Sequence, residues 1–528
     1  MSVASAVLGR VWGLPPRRNR VRVDRAIEVT MRDGVRLLAD HFVPVTAERA
    51  PTILVRCPYG RSAPYTLLQA RFYAERGYHV LFQSCRGTFG SGGVFTPGVD
   101  ETRDAQDTVA WLRDQDWFDG RLAVLGGSYL GFTGWALAAD PPPELTAMVV
   151  MIGVHDLGAA MYRQGPLELY NGRSWADLIA GQESTGPLRG LVRAMRAERR
   201  LADEMTRLPL SGTGVPWYDD WARRPDLTDP YWERFRVTEA LRRSTVPTLL
   251  IGGWHDFFLN QTIEQYEALR ARDVDVAMTV GPWTHLNVDN RISLTEGISW
   301  FDAHTARRAP ARRGTPVRVF VGGAGWQNHR SWPPPDTRSA TWYLHSGQRL
   351  AEQPSTQDSS GTAFRYDPRD PTPSVGGRVM ALSGGAKDNR KLEARPDVLV
   401  FTSEPLTTPV EVHGSPVVEL HVTSDNANAD LFARLCDVSP AGRSTNVTDQ
   451  IVRCDGREAV RITLDPTAHR FEAGHRVRLQ VSGGAFPRFA RNLGTGDDPG
   501  TGTTVRAAAR TVHHDAGRPS HLSLPVRG

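Results

Sequence analysis

Ser128 stands in the run Leu122-Ala123-Val124-Leu125-Gly126-Gly127-Ser128-Tyr129-Leu130-Gly131. The four leading apolar residues predict a buried strand, Gly-Gly-Ser-Tyr a sharp turn, and Phe132 to Ala139 a helix rich in Ala, Leu and Trp. A serine at such a strand-to-helix turn projects its Oγ from the backbone, and small neighbours leave the turn room. The helix that follows aims free N–H groups at the reacting oxygen. The chemistry this predicts is nucleophilic attack on a carbonyl. The common spacing is Gly-x-Ser-x-Gly; here position 130 is Leu and the glycine comes at 131.

A serine nucleophile needs a base, and the base needs an orienting group. Thr248-Leu249-Leu250-Ile251 predicts a buried strand running into Gly252-Gly253-Trp254-His255-Asp256. Ala277-Met278-Thr279-Val280 predicts another, followed by Gly281-Pro282-Trp283-Thr284-His285. Each places a polar residue just past the carboxyl end of a strand, the edge where open α/β sheets bind ligands. The chain order Ser, acid, His is that of an α/β-hydrolase. Ser128 is therefore assigned as nucleophile, His285 as base and Asp256 as orienter. His255 competes as base but shares its loop with the acid. Asp275 and Asp289 compete as acid but do not directly follow a buried strand.

The oxyanion of the tetrahedral intermediate needs donors where charge develops. The backbone N–H of Tyr129 is one candidate. The other is the phenol of Tyr59, on the loop Cys57-Pro58-Tyr59-Gly60 after the predicted strand Thr52-Ile53-Leu54-Val55-Arg56. An aromatic packed under a cap is the competing reading of Tyr59.

Cys57-Pro58-Tyr59, Cys85-Arg86-Gly87 with Gly90-Ser91-Gly92-Gly93, Gly126-x-Ser128-Tyr129-x-Gly131, Gly253-Trp254-x-Asp256 and Gly281-Pro282-Trp283-x-His285 occur in this order. So do Phe401-Thr402-Ser403-Glu404-Pro405-Leu406, Asp437-Val438-Ser439-Pro440-x-Gly442-Arg443 and Phe486-Pro487-Arg488-Phe489-x-Arg491-Asn492. The set resembles the CocE/NonD hydrolases, a family of esterases and X-Pro dipeptidyl peptidases, over nearly all of the chain beyond about residue 25. The resemblance implies the later elbow glycine, an oxyanion hole of Tyr59 and Tyr129, a helical cap and a C-terminal jelly roll. The family's amino-acid ester hydrolases carry carboxylates shortly after the catalytic acid, to hold the substrate ammonium. Phe257, Phe258 and Leu259 stand there instead. Ser84-Cys85 stands where the family usually has an acid before Arg86-Gly87, which puts local salt bridging in doubt.

These residues need a framework, and the predicted fold class is α/β: a hydrolase core, a helical cap insertion and a C-terminal β-sandwich. Residues 1–24 read as a weakly ordered arm. Residues 25–154 and 245–312 read as the hydrolase domain, opening with a hairpin around Asp33-Gly34. Residues 155–244 are helical and Arg-rich, with Leu191 to Met205 a clear helix; inserted ahead of the acid, they form a cap that shapes the acyl pocket. Residues 313–528 read as the sandwich. Its alternating runs include Val317/Val319/Val321, Leu431/Ala433/Leu435 and Val477/Leu479/Val481. Trp175 in the cap, with Phe257 and Phe258, is expected in the substrate pocket, core packing being the alternative for each.

Composition closes off other classes. A chain of 528 residues is too long for one core. Its net charge of +5 is small, its lysines are only Lys387 and Lys391, and no basic run interleaves with aromatics. Nucleic-acid binding is not expected. Four cysteines without CxxC spacing argue against metal or redox motifs, though Cys436 and Cys454 could face each other across a sheet. No stretch approaches a membrane span and no signal peptide is evident, so a cytoplasmic protein without cofactor is expected. The predicted activity is hydrolysis of a carboxylic ester through an acyl-enzyme. The alternatives are X-Pro dipeptidyl-peptidase chemistry and a non-hydrolytic acyl-transferring or acyl-binding relative. The partner is a small acyl ester or peptide-like molecule, and a homodimer is the candidate assembly.

Overall fold

Strands buried on both faces are apolar nearly throughout, and this chain has several. The computed structural model describes residues 3–45, 49–62, 66–183, 198–310, 313–358 and 361–528. In it β3 (Ala50–Cys57) and β4 (His79–Ser84) are buried at every position, β7 (Thr248–His255) and β8 (Val276–Thr284) at all but one, and β5 (Phe118–Gly127) and β6 (Leu145–Met151) along Leu122–Gly126 and Ala147–Val150. Alternate residues of one strand feed opposite cores: in β5, Leu122 and Val124 enter one, Ala123 and Leu125 the other.

Among the described residues the main sheet has ten strands in the order β1-β2-β4-β3-β5-β6-β7-β8-β9-β10, where β1 is Val21–Thr30, β2 Arg36–Pro44, β9 Val317–Val321 and β10 Gly325–His329. The predicted hairpin is β1/β2, with Thr30 opposite Arg36. From β4 through β9 every pairing is parallel. The helices α2 (Glu101–Arg113), α3 (Tyr129–Ala138), α7 (Leu259–Arg270) and α8 (Asn290–His304) connect these strands.

Two expectations at the domain edges are corrected. The first residues are not a loose arm. Val3–Val11 form helix α1, in which Ser5 is fully buried and donates to Glu75 Oε1 at 2.5 Å, while Trp12 packs on Phe72. Strand β1 already begins at Val21. The alternating valines Val317, Val319 and Val321 do not open the sandwich. They pair parallel to β8, where both neighbouring elements bury them in the hydrolase core.

Between β6 and β7 lie the short helices α4 (Leu157–Tyr162), α5 (Leu169–Gly181) and α6 (Pro216–Ala222). Of the helix predicted over Leu191 to Met205, residues 198–205 are helical and the rest lie outside the described residues. From Thr337 onward, thirteen strands among the described residues form a β-sandwich around its own core, which includes Leu344, Phe401, Leu435, Leu479 and Leu524. Cys436 and Cys454 do not face each other: on the hairpin of Asp430–Val438 and Ser444–Arg453, Cys436 lies opposite Asn446, while Cys454 follows the far end. All four cysteines are buried free thiols.

Candidate active site

Ser128 joins β5 to α3 with φ 59° and ψ −126°, a conformation that costs a non-glycine residue free energy. Two glycines make the turn possible. A methyl group on Gly126 would stand 2.0 Å from the Leu130 carbonyl oxygen, and one on Gly131 would stand 2.9 Å from the Gly153 Cα. Gly127 is different, since a methyl there meets nothing nearer than Met151 Cε at 3.6 Å. Ser128 occupies the N-cap of α3 but does not use its side chain to cap the helix.

That side chain is engaged elsewhere. Ser128 Oγ lies 2.9 Å from His285 Nε2, and His285 Nδ1 lies 2.7 Å from Asp256 Oδ1. A carboxylate only accepts, so Nδ1 carries the ring proton and donates to Asp256; Nε2 then accepts from the serine hydroxyl. Asp256 is fully buried at the end of β7, and His285 follows the end of β8. The competing residues are occupied differently. Burial pushes the His255 imidazole down to about 4, and its surrounding charges are those of the sandwich side, Arg378 foremost. Asp289 caps α8 through the N–H groups of Arg291 and Ile292. Asp275 is exposed and faces His304.

The structure brings both tyrosines to the same cavity as Ser128 and His285. Tyr59 accepts a hydrogen bond from the Trp175 indole N–H at 3.0 Å, which orients the phenol. Tyr129 occupies the first turn of α3, where backbone N–H groups have no acceptor within the helix. Its side chain is anchored below the turn: the phenol donates to Glu101 Oε1 at 2.9 Å and accepts from Gly98 N–H at 2.7 Å. Burial and the neighbouring Glu101 carboxylate raise that phenol well above its usual range. Glu101 is in turn paired with the buried Arg56 at 2.8 Å, on the strand that leads to Tyr59. One ion pair thus ties both tyrosine-bearing elements together. This anchor was invisible as a motif in the sequence.

The cavity measures about 370 Å³. Trp175, Phe257 and Phe258 all line it, the Phe257 ring centroid lying 4.3 Å from that of His285. Trp175 also stacks toward Tyr129, Trp217 and Trp221, so it belongs to an aromatic roof as well as to the wall. Sequence reasoning missed Leu157, Met161 and Asn171 of the cap, Leu286 beside the base, and Met380, which reaches in from the C-terminal part of the chain. No Asp, Glu, Lys or Arg lines the cavity among the described residues. Nor do the described residues include a group of His, Cys, Asp or Glu placed to hold a metal ion. The Ser84-Cys85 departure leaves no gap in salt bridging: Arg86 pairs with Asp104 at 2.6 Å and Asp33 at 2.9 Å, and Ser84 Oγ accepts from Arg61 at 2.5 Å. No helix among the described residues is long and apolar enough to cross a membrane.

A nucleophile hydrogen-bonded to a base, itself hydrogen-bonded to a buried acid, can carry out acyl transfer. Comparison with known proteins agrees with that chemistry. The X-Pro dipeptidyl-peptidase (S15 family) model matches residues 33–287, and the X-Pro dipeptidyl-peptidase C-terminal non-catalytic domain model matches residues 311–523. Cocaine esterase of a Rhodococcus species is 32% identical, covering 95% of this chain and 98% of its own. The structure of an α-amino acid ester hydrolase superposes with a TM-score of 0.81 at 25% identity over 98% of both chains. A CocE/NonD family hydrolase from Staphylococcus aureus shares the fold, with a TM-score of 0.71 at 19% identity over 96% of this chain and 94% of its own. With its serine, histidine and aspartate in one hydrogen-bonded chain and this likeness along its whole length, the protein belongs to the CocE/NonD family of serine hydrolases.

Proposed function

We propose that this chain hydrolyses carboxylic esters with an uncharged, apolar acyl group. The observation that carries the reading is the Ser128–His285–Asp256 chain opening into a cavity whose described lining holds no Asp, Glu, Lys or Arg. His285 Nε2 takes the Ser128 proton as Oγ bonds to the ester carbonyl carbon. Asp256 holds the imidazolium, while the Tyr59 phenol and the Tyr129 N–H receive the oxyanion. The imidazolium then protonates the departing alkoxide, leaving an acyl-enzyme. Water repeats the sequence, releasing the acid and restoring the serine.

The S15 match supports a second reading, removal of an X-Pro dipeptide from a peptide. That reaction requires a partner for the substrate's free ammonium group. An apolar wall does not replace the hydration such a cation loses. The curated cocaine esterase relative supports the ester reading instead.

The test is a matched pair of assays on the purified protein. One uses p-nitrophenyl esters of increasing acyl length, the other Gly-Pro and Ala-Pro p-nitroanilides, with Ser128→Ala as control. Ester turnover lost in the variant, with no anilide turnover, is the expected result. Anilide turnover exceeding ester turnover would overturn the proposal.

A further inference from the structure

The acid of the triad sits on a loop that the C-terminal part of the chain grips from both sides. Arg378, 4% exposed, belongs to a segment closed on itself by reciprocal hydrogen bonds between Gly377 and Gly385. Its Nε donates to the Trp254 carbonyl at 3.0 Å, two residues before Asp256, and its Nη2 donates to the Pro466 carbonyl at 3.1 Å. Its Nη1 forms an ion pair with Asp465. Asp465 also accepts from Asn260 Nδ2 at 2.5 Å, four residues after Asp256. The segment from 254 to 260, the end of β7 through the start of α7, is therefore bracketed by one buried Arg378–Asp465 pair.

That pair is itself held. Gln450 Nε2 donates to Asp465 at 2.9 Å, and Arg488, with its own partners Asp449 and Glu168, lies 3.8 Å from Asp465. Arg434 pairs with Asp449 at 2.9 Å. The cap is joined to the same segment: Asn171 donates to the Arg378 carbonyl at 3.0 Å and accepts from Met380 N–H at 2.8 Å. Asp256 is fully buried, with one oxygen on His285 and the other lacking a protein hydrogen-bond donor among the described residues. Arg378 is a buried cation, and Asp256 is among the carboxylates whose charge favours it.

We propose that Arg378, together with Asp465, is a positioning residue for the acid of the triad, so that the domain whose family model is described as non-catalytic sets the place of Asp256. The proposal rests on the triad reading above. Arg378 does not line the cavity, so its role is to fix the acid loop through the Trp254 carbonyl rather than to touch substrate. Displacement of a reacting constellation by about 1 Å can cost about 100-fold in rate, while leaving substrate binding largely intact.

The experiment uses the full chain with Arg378→Met, Arg378→Lys, Asn260→Ala and Ser128→Ala. Turnover of a p-nitrophenyl ester is counted per serine labelled at the endpoint by a fluorophosphonate, so that unfolded molecules do not enter kcat. Arg378→Met is expected to lower both kcat and the labelling rate by about 10- to 100-fold, with KM within about twofold. Arg378→Lys, which keeps the charge but not the planar fork, should recover part of the loss. Asn260→Ala, which breaks only the second grip at a partly exposed site, should lower kcat by about 3- to 10-fold. Where Arg378→Met folds, unchanged kcat per labelled serine overturns the proposal; where it does not fold, unchanged kcat in Asn260→Ala does so. A Ser128→Ala variant with normal turnover per mole of folded protein would instead defeat the triad reading, a different failure that this control separates.

Discussion

The two nitrogens of His285 divide the work at the site, one facing Ser128 and the other Asp256, and each contact is short enough to transfer or hold a proton. Ser128→Ala removes the atom that bonds to the acyl carbon, so it should abolish ester turnover and fluorophosphonate labelling while leaving the melting temperature close to wild type. Retained labelling would show a different nucleophile. Tyr59 makes a finer test. Its phenol accepts from the Trp175 indole, which positions the oxygen at the cavity. Tyr59→Phe keeps the ring and its packing but deletes the hydroxyl. Loss of one oxyanion donor costs about 100- to 1,000-fold in turnover. The variant should still be labelled, more slowly, with kcat falling far more than KM rises. A Tyr59→Phe enzyme within about threefold of wild type would place the second donor elsewhere.

At the scale of elements, the nucleophile depends on a turn with room for only certain residues. Gly126→Ala puts a methyl 2.0 Å from a backbone oxygen that no rotamer change can move, whereas Gly127→Ala makes ordinary contact with a flexible methionine. Gly126→Ala should destabilise the protein by about 3 kcal/mol or more and Gly127→Ala by less than about 1 kcal/mol, measured by urea unfolding. Equal effects would mean that the turn relaxes. The turn and both later loops were legible because strand–loop junctions bearing Ser, Asp and His have local signatures in a fixed chain order. The pocket wall was legible next to those junctions, at Phe257 and Phe258, and at Trp175 of the cap. Met161 comes from the cap and Met380 from the C-terminal part of the chain, and packing alone brings them together. Val317, Val319 and Val321 announced a strand but not its sheet, because a period of two records burial on one face and says nothing of the neighbour. Arg378, Asp465 and Trp254 lie too far apart in the chain for any spacing rule to join them.

Over the whole molecule, buried imidazoles outside the triad couple folding to pH. Burial pushes His155 down to about 3 and His255 down to about 4. It also lowers His41 and His79, which share a 2.9 Å hydrogen bond inside the main sheet and repel each other once charged. In the folded chain these rings stay neutral; in the unfolded chain each takes a proton near the ordinary value of 6.5. A lowered folded value means that the unfolded state binds more protons as the solution is acidified. The stability these rings contribute is therefore complete above about pH 6.5 and is lost as pH falls toward 4. Glu168 works in the opposite direction. Burial, with Asp465 and Asp449 nearby, raises its carboxyl to about 7 against the pull of Arg488, so its contribution is lost as pH rises from 4.5 toward 7. Among the described residues the lowered imidazoles outnumber the raised carboxyls, Glu168, Asp156 and Glu267, so urea midpoints should fall steadily from pH 7 to pH 5. His155 isolates the effect: it is 4% exposed, and its Nδ1 accepts from the Gln265 amide at 3.1 Å, which leaves no place for a second ring proton. His155→Gln cannot titrate, so whatever it does to stability at pH 7, it should flatten the slope below pH 6.5 by about 1.4 kcal/mol per pH unit. An unchanged slope would mean that water or a rearranged Gln265 lets this imidazole charge in the native state.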